Sequence, residues 1–331
     1  MNADPSTPEI SVVVPVYREA DGIATLCGRL VPVLERVAPR FEILFVDDGS
    51  TDGTLAAIRA EHERDPRIRA VSFSRNFGKE IAIAAGLDHA RGEAVVIMDA
   101  DLQHPPETIE TFVARWREGN VMVYGQRTDR EGETRVKRGF TAAFYRLFAR
   151  FGETELPEGA GDFRLIDRRG VQVLRTLGER ARFSKGLYAW IGFRSVGVPF
   201  TVEERRFGTT KWSFRKLFRF AFDGITSFST VPLRVWTYLG GVVSFLAIAA
   251  AIFFALRTAF FGSDVPGYPS LIVSVMFFSG IQLLSLGIIG EYVGRIFAEV
   301  KRRPLYVVAE TVGATPEPLP FARDERRLPA A

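Results

Sequence analysis

The sequence predicts an α/β domain built on a mostly parallel sheet, followed by a pair of membrane-crossing helices. Three observations carry this prediction. Short apolar runs alternate with amphipathic stretches from Ile10 to about Gly125, the pattern of strands joined by helical crossovers. Two long segments nearer the C-terminus hold no charged residue. Acidic motifs fall where predicted strands end, which is where open α/β sheets bind their ligands. The 331 residues are 47% hydrophobic and 25% charged with a net charge of +4, averages that conceal these unlike parts.

Residues 1–9 form a polar tail with no basic region ahead of an apolar run, so no secretory signal is expected. Ile10–Pro15, Phe41–Val46, Ile68–Phe73, Ala94–Met98 and Val121–Tyr124 read as strands. Gly22–Val37, Thr54–Glu63, Glu80–Ala90 and Glu107–Glu118 have helical spacing. The soluble domain is expected to occupy 10–212. Its single cysteine, Cys27, excludes an internal disulfide and a cysteine zinc site. Three histidines leave little scope for His-rich metal chemistry.

Between Arg234 and Arg257 lie 22 uncharged residues, and between Asp264 and Glu291 lie 26. A helix needs about 20 apolar residues to cross a bilayer, and globular helices seldom run so long without a charged face. Spans are therefore expected at about 235–256 and 270–290, within a hairpin over 234–292. Arg205, Arg206, Lys211, Arg215, Lys216, Arg219 and Arg234 precede it, and Arg295, Lys301, Arg302 and Arg303 follow. The connecting loop carries only Arg257 and Asp264. The positive-inside rule then puts both termini and the soluble domain in the cytosol, on the inner membrane, with 293–331 as a cytosolic tail. Residues 213–233 read as a juxtamembrane amphipathic helix, with Leu217, Phe218, Phe222, Ile225 and Phe228 opposite Arg215, Lys216 and Arg219. Val136, Phe140, Phe144, Leu147 and Phe151 repeat the pattern beside Arg135, Lys137 and Arg138. Basic, Phe-rich helices suit an anionic bilayer surface. Basic residues gathered beside apolar spans also argue against a nucleic-acid partner.

Asp99-Ala100-Asp101 ends the apolar run before it, and Gln103 and His104 follow. Paired carboxylates at a strand end suit Mg2+ or Mn2+, which take hard oxygen ligands and complete their shell with phosphates. Asp47 and Asp48 leave the second strand ahead of a turn built on Gly49 and Gly53. Adjacent carboxylates repel, so turn geometry alone does not account for them, and a base or ribose is a fitting donor for one. At the end of the first strand, Tyr17 suits a nucleobase and Glu19 a ring N–H or ribose hydroxyl. Arg205 and Lys211, six apart around Gly208, suit a diphosphate that gains charge as it leaves.

VPVYRE, FVDDGSTDGT, SRNFGKEIAIAAGLDHARG, MDADLQHPPE, GQR, GDFRLIDRR and RRFGTTKWSFRKLF stand in this order across about Ile10 to Leu217. Together they resemble the polyisoprenyl-phosphate glycosyltransferases of family 2, typified by dolichol-phosphate mannose synthase. The two C-terminal spans resemble the bacterial undecaprenyl-phosphate glucosyltransferase subgroup. The resemblance implies a GT-A fold, a mixed but mostly parallel sheet flanked by helices. It implies nucleotide contacts from Pro15, Tyr17, Glu19, Val46 and Asp48. It puts Asp99, Ala100 and Asp101 on the metal and diphosphate motif, with Gln103 as a further ligand. Arg127, Arg205 and Lys211 match basic residues around the phosphates, and Arg138 falls near the lipid-phosphate position. The family usually has Asn after the motif Tyr, where this chain has Arg18. A homo-tetramer is also implied.

The reaction implied is inverting displacement at the anomeric carbon of a nucleotide sugar by a phosphate oxygen of a polyprenyl phosphate. UDP-glucose and undecaprenyl phosphate are the first choice of substrates, with GDP-mannose and UDP-amino-arabinose as alternative donors. Asp162 serves either as base or as an orienting group, since a lipid phosphate is already ionised near neutral pH. A processive polysaccharide synthase fits less well, because Gln172 and Arg175 are followed by Thr176 and not by the Trp of that motif. A non-catalytic nucleotide-binding scaffold would not need Asp99, Asp101, Arg205 and Lys211.

Overall fold

The computed structural model describes residues 7–127, 160–203 apart from 181 and 183, scattered positions between 240 and 260, and 267–313 apart from 302. Strands β1 (Ile10–Val16), β2 (Phe41–Asp47), β3 (Ile68–Phe73) and β4 (Ala94–Ile97) form the parallel centre of the sheet. Their register sets Ile10 beside Phe41 on one side and Ala94 on the other. These strands are buried and mostly apolar because helices cover both faces. Helices α1 (Ile23–Val37), α2 (Thr54–Arg64) and α4 (Thr108–Arg117) pack Ile23, Leu26, Ile58 and Phe112 against Val12, Val14 and Phe45. On the other face, α3 (Lys79–His89), α5 (Arg168–Thr176) and α6 (Ser184–Trp190) meet the alternate residues Val13, Leu44 and Val95. A Cβ at Gly86 would overlap the Val13 side chain, so glycine lets α3 lie directly on β1.

The sheet reverses beyond β4. Strand β6 (Ala160–Asp167) runs antiparallel both to β4 and to β5 (Met122–Arg127), and β5 pairs in parallel with β7 (Ser195–Phe200). Because β4 and β5 both oppose β6, they run the same way. The start of β6 therefore lies at the edge where β4 and β5 finish. Strand β5 continues three residues past its expected end and so carries Arg127 to that edge.

Helix α7 (Tyr268–Val300) has 33 residues, about 50 Å at 1.5 Å per residue. It runs ten residues past the expected end of the second span. Its stretch Phe277–Val300 has a mean hydropathy of 1.3, and Leu283, Leu286, Ile296 and Phe297 are exposed. At the far end the Glu299 carboxylate accepts the Arg180 N–H at 2.7 Å. Tyr306 then stacks on Phe73 with ring centroids 5.0 Å apart, and its hydroxyl donates to Asp88 at 3.2 Å. Strand β8 (Val308–Val312) completes the sheet, antiparallel to β3, in the order β7-β5-β6-β4-β1-β2-β3-β8. The region expected to be a cytosolic tail over 293–331 thus begins with the last turns of a helix and supplies the sheet's outer strand. Five residues, VAETV, carry too little local signal to announce a strand whose partner lies over 200 positions away. The juxtamembrane helix over 213–233, the basic Phe-rich segment around Arg138 and most of the first span lie outside the described residues.

The strand starts are held by a buried ion cluster at the opposite edge. Glu42, 1% exposed, accepts the Ser11 hydroxyl at 2.7 Å and the Arg91 N–H at 2.8 Å, and pairs with Arg69 at 2.5 Å. Burial by itself would push the Glu42 carboxyl up; these donors outweigh it and hold the group below the ordinary glutamate range. Removing one partner of a buried pair strands the other charge, at about 3–5 kcal/mol. Glu42→Ala should therefore lose about that much stability in denaturant unfolding of the full chain in detergent. In the wild type, this contribution is present above the usual glutamate pKa of about 4.3 and is lost as pH falls through the lowered native value. The difference between the two proteins should accordingly shrink in acid.

Candidate active site

Five carboxylates gather at the edge where β1, β2 and β4 end and β6 begins. Asp47 and Asp48 point to opposite sides, as consecutive extended residues must. Asp47 accepts the Ser50 N–H at 3.0 Å and the Ser72 hydroxyl at 2.7 Å. Asp48 accepts the backbone N–H groups of Phe77 at 2.6 Å and Gly78 at 2.9 Å. Burial, with Asp47 nearby, pushes the Asp48 carboxyl up against the pull of those two donors. Gly49 has φ +68° and rests on the Arg75 backbone, where a Cβ would overlap it. Asp48 and Gly49 together lock the loop after β3 onto the end of β2 and so set where α3 begins.

Helix α3 opens with Lys79, whose ammonium lies 2.7 Å and 2.9 Å from the two Asp99 oxygens and 3.1 Å from Asp162. The sheet register explains the meeting. Ile97 stands opposite Arg164, so two residues further on Asp99 comes level with Asp162. Two carboxylates facing each other across antiparallel strands repel, and Lys79 bridges them. Partial desolvation in the crevice opposes charge at both groups. The carboxylates outweigh it at Lys79 and raise its pKa. Lys79, Lys185 and Arg164 outweigh it at Asp162 and hold that carboxyl at about 2. Glu80, the next residue of the helix, accepts the N–H and hydroxyl of Ser184. Arg164 stacks over Tyr188 with its guanidinium carbon 3.7 Å from the ring centroid.

The acidic loop turns sharply after β4. Leu102, fully buried, has φ +57°, a left-handed conformation that costs a branched residue about 1–2 kcal/mol. The turn brings Asp101 to accept the Gln103 N–H at 3.1 Å. His104 stacks on Phe163 at 4.8 Å and meets Phe200 edge-on at 5.6 Å. Burial pushes its pKa down, so the ring is a neutral wall. The Gln103 carbonyl accepts the Glu203 N–H at 3.2 Å, and Arg29 of α1 holds the Glu203 carboxylate at 2.8 Å. The chain therefore passes the acidic loop two residues before Arg205. Among the described residues no three His, Cys, Asp or Glu side chains converge as a metal cage. Hard-oxygen donors from Asp99, Asp101 and Gln103 fit Mg2+ or Mn2+ when substrate phosphates and water supply the remaining ligands.

The structure brings Asp99, Ala100, Asp101, Gln103, Asp162 and Arg127 to one edge with Pro15, Tyr17, Glu19 and Asp48. Val46 is fully buried beneath α3, so only its backbone is at hand for a nucleotide. Arg138, Arg205 and Lys211 lie outside the described residues. Arg18 adopts φ +58°, a conformation asparagine tolerates and arginine resists, which accounts for the usual Asn of the motif. Its N–H donates to the Ser50 hydroxyl and its guanidinium to Thr51, both at 2.9 Å. Sequence reasoning passed over Lys79. The signal was there: a lysine in the first turn of a helix opposes the helix dipole and needs acidic partners from elsewhere.

An α/β sheet with carboxylates massed at its C-terminal strand ends has a ligand crevice there that suits cations and the phosphates they accompany. Comparison with known proteins makes this specific. Residues 11–175 match Glycosyl transferase family 2. An uncharacterized glycosyltransferase of Synechocystis sp. is 49% identical, over 95% of this chain and 98% of its own. The SfII prophage-derived bactoprenol glucosyl transferase of Shigella flexneri is 42% identical, over 93% of this chain and all of its own (100%). A mannosyltransferase from Pyrobaculum calidifontis, solved with GDP-Man and Mn2+, covers 85% of this chain and is covered to 84%, at 21% identity and a TM-score of 0.46. The chain belongs to glycosyltransferase family 2. It is a glycosyltransferase, and its mixed, helix-flanked sheet is GT-A-like.

Asp48→Asn replaces one acceptor oxygen with a donor facing an N–H. That should cost about 1–3 kcal/mol, read as a lower melting temperature. Faster hydrogen exchange at the Phe77 or Gly78 amide should accompany it.

Proposed function

We propose that the enzyme transfers a hexose from a nucleotide sugar, UDP-glucose in the first instance, to a polyprenyl phosphate at the cytosolic membrane face. One observation carries the chemistry: Asp99 and Asp162 come together at the strand ends, beside Asp101, on the edge that Arg127 also reaches. The acceptor class is supported by relatives named bactoprenol glucosyl transferase at 42% identity along nearly their whole length. A phosphate oxygen of the lipid attacks the anomeric carbon from the face opposite the nucleotide. The bond to the nucleoside diphosphate breaks with its electron pair leaving on the diphosphate, which inverts the centre.

Asp99 and Asp101, with Gln103, are suited to hold a divalent ion, whose chemistry is to take up charge on the departing diphosphate. Arg205 and Lys211 add counter-charge there, and Arg127 and Arg138 draw in the anionic acceptor. Pro15, Tyr17, Glu19, Asp48 and the Val46 backbone face the nucleoside. With its carboxyl held at about 2, Asp162 is a weak base and better suited to orienting sugar or acceptor. An ionised lipid phosphate needs no stronger one.

The membrane reading draws on α7, which at about 50 Å exceeds a hydrocarbon core of about 30 Å. Its exposed apolar side chains and its end contact with the catalytic domain support a span whose C-terminal end is cytosolic. Helical described residues such as Val242, Phe245, Ile252 and Phe253 are exposed as well, which favours a hairpin of two spans.

Asp101→Ala should lower transfer at least about 100-fold with the fold intact by circular dichroism. The assay is the mass of the lipid product from undecaprenyl phosphate and a panel of nucleotide sugars. EDTA should inhibit and Mg2+ or Mn2+ restore activity; unchanged turnover in both experiments would remove the metal motif. Arg138→Ala should raise the KM for lipid phosphate more than that for nucleotide sugar, and the reverse pattern would move Arg138 to the donor side.

A further inference from the structure

Lys79 occupies a position that helices disfavour for cations, the first residue of α3, where the macrodipole is positive. Its ammonium nevertheless touches both oxygens of Asp99 and one of Asp162. The side chain is 44% exposed, so it lines the crevice and is not sealed in the core. Its aim is set from behind. Asp48 binds the Phe77 and Gly78 N–H groups just before the helix, and the Ser184 N–H holds the neighbouring Glu80 carboxylate. The sheet register leaves two carboxylates level with each other, and Lys79 is the cation that contacts both, with Lys185 and Arg164 adding positive charge around Asp162. The Asp99 oxygens that a divalent ion would take are the ones Lys79 holds.

We propose that Lys79 is a positioning residue that stands in for the divalent ion in the resting enzyme. It keeps Asp99 and Asp162 aligned and releases the Asp99 oxygens when metal and donor bind, while retaining Asp162. The inference rests on reading Asp99 and Asp101 as the metal motif. It makes Lys79 a competitor of the metal as well as an aid to turnover, a combination that a purely structural lysine does not have.

The test is a titration of the full-length protein in detergent with Mn2+ alone, followed by the electron paramagnetic resonance signal of the free ion. Removing a positive charge within contact distance of the ligand oxygens should tighten Mn2+ binding at least about tenfold in Lys79→Met. Lys79→Arg should stay near wild type. In turnover, Lys79→Met should lose kcat about tenfold or more, and Lys79→Arg should recover part of it. Lys79→Gln provides the same reading if the methionine variant does not fold. Mn2+ affinity that is unchanged or weaker in the neutral variants overturns the proposal. Asp101→Asn separates the two readings. If it loses Mn2+ while Lys79→Met binds like wild type, only the role of Lys79 fails. If it binds Mn2+ like wild type, the metal motif fails and the proposal with it.

Discussion

Repulsion among carboxylates at one edge of the sheet governs how this domain is built. Parallel strands all end on the same side, and β2 and β4 bring Asp47, Asp48, Asp99 and Asp101 there, while β6 starts beside them with Asp162. Each charge has its own answer. Asp47 takes Ser50 and Ser72, Asp48 takes two backbone amides, Asp101 takes the Gln103 amide, and Asp99 shares Lys79 with Asp162. These answers also shape the chain. The loop after β3 is fastened by Asp48, and the start of α3 follows from it. An edge that holds this much negative charge under local control is prepared for cations and for phosphates that arrive with them.

The opposite edge is quiet by comparison and equally dependent on pairing. Glu42 collects Ser11, Arg69 and Arg91 there, stitching β1, β2 and β3 together away from the chemistry. Beside it, Arg69 reaches the Gly313 carbonyl and Arg59 pairs with Glu310. The polypeptide that leaves α7 is thereby bound to the catalytic sheet by a strand, an aromatic stack, hydrogen bonds and an ion pair. The catalytic domain is joined to the end of its long apolar helix through hydrogen-bonded structure, which suits a transferase whose acceptor stays in the bilayer.

Much of this was legible in the residues. The four central strands and the helices between them showed in periodicity, because a strand covered on both faces must be apolar and a helix on a sheet must be amphipathic. The Asp99 motif showed because two carboxylates ending an apolar run have no packing purpose. Lys79, Glu80 and Arg164 did not stand out, since a single charged residue in a loop or helix start is ordinary until its partner is known. β8 was misread as tail, because five residues of VAETV become a strand only through the edge of β3. The run through Arg127 was cut short because Gly125 and Gln126 look like a strand's end, and the pairing with β6 and β7 overrides that local preference.

By itself the sequence determined the class of fold, the family's motifs and the chemical character of the site, since these depend on periodicity and residue type, which are local. It determined that Asp99 and Asp101 end a strand, and that the chain carries apolar stretches of membrane length. Only the tertiary structure decided that Asp162, over 60 residues later, comes level with Asp99, that Lys79 binds both, and that β8 returns to close the sheet. Those facts follow from strand order and register. Both are set by long-range backbone pairing and core packing, which no short window of sequence contains.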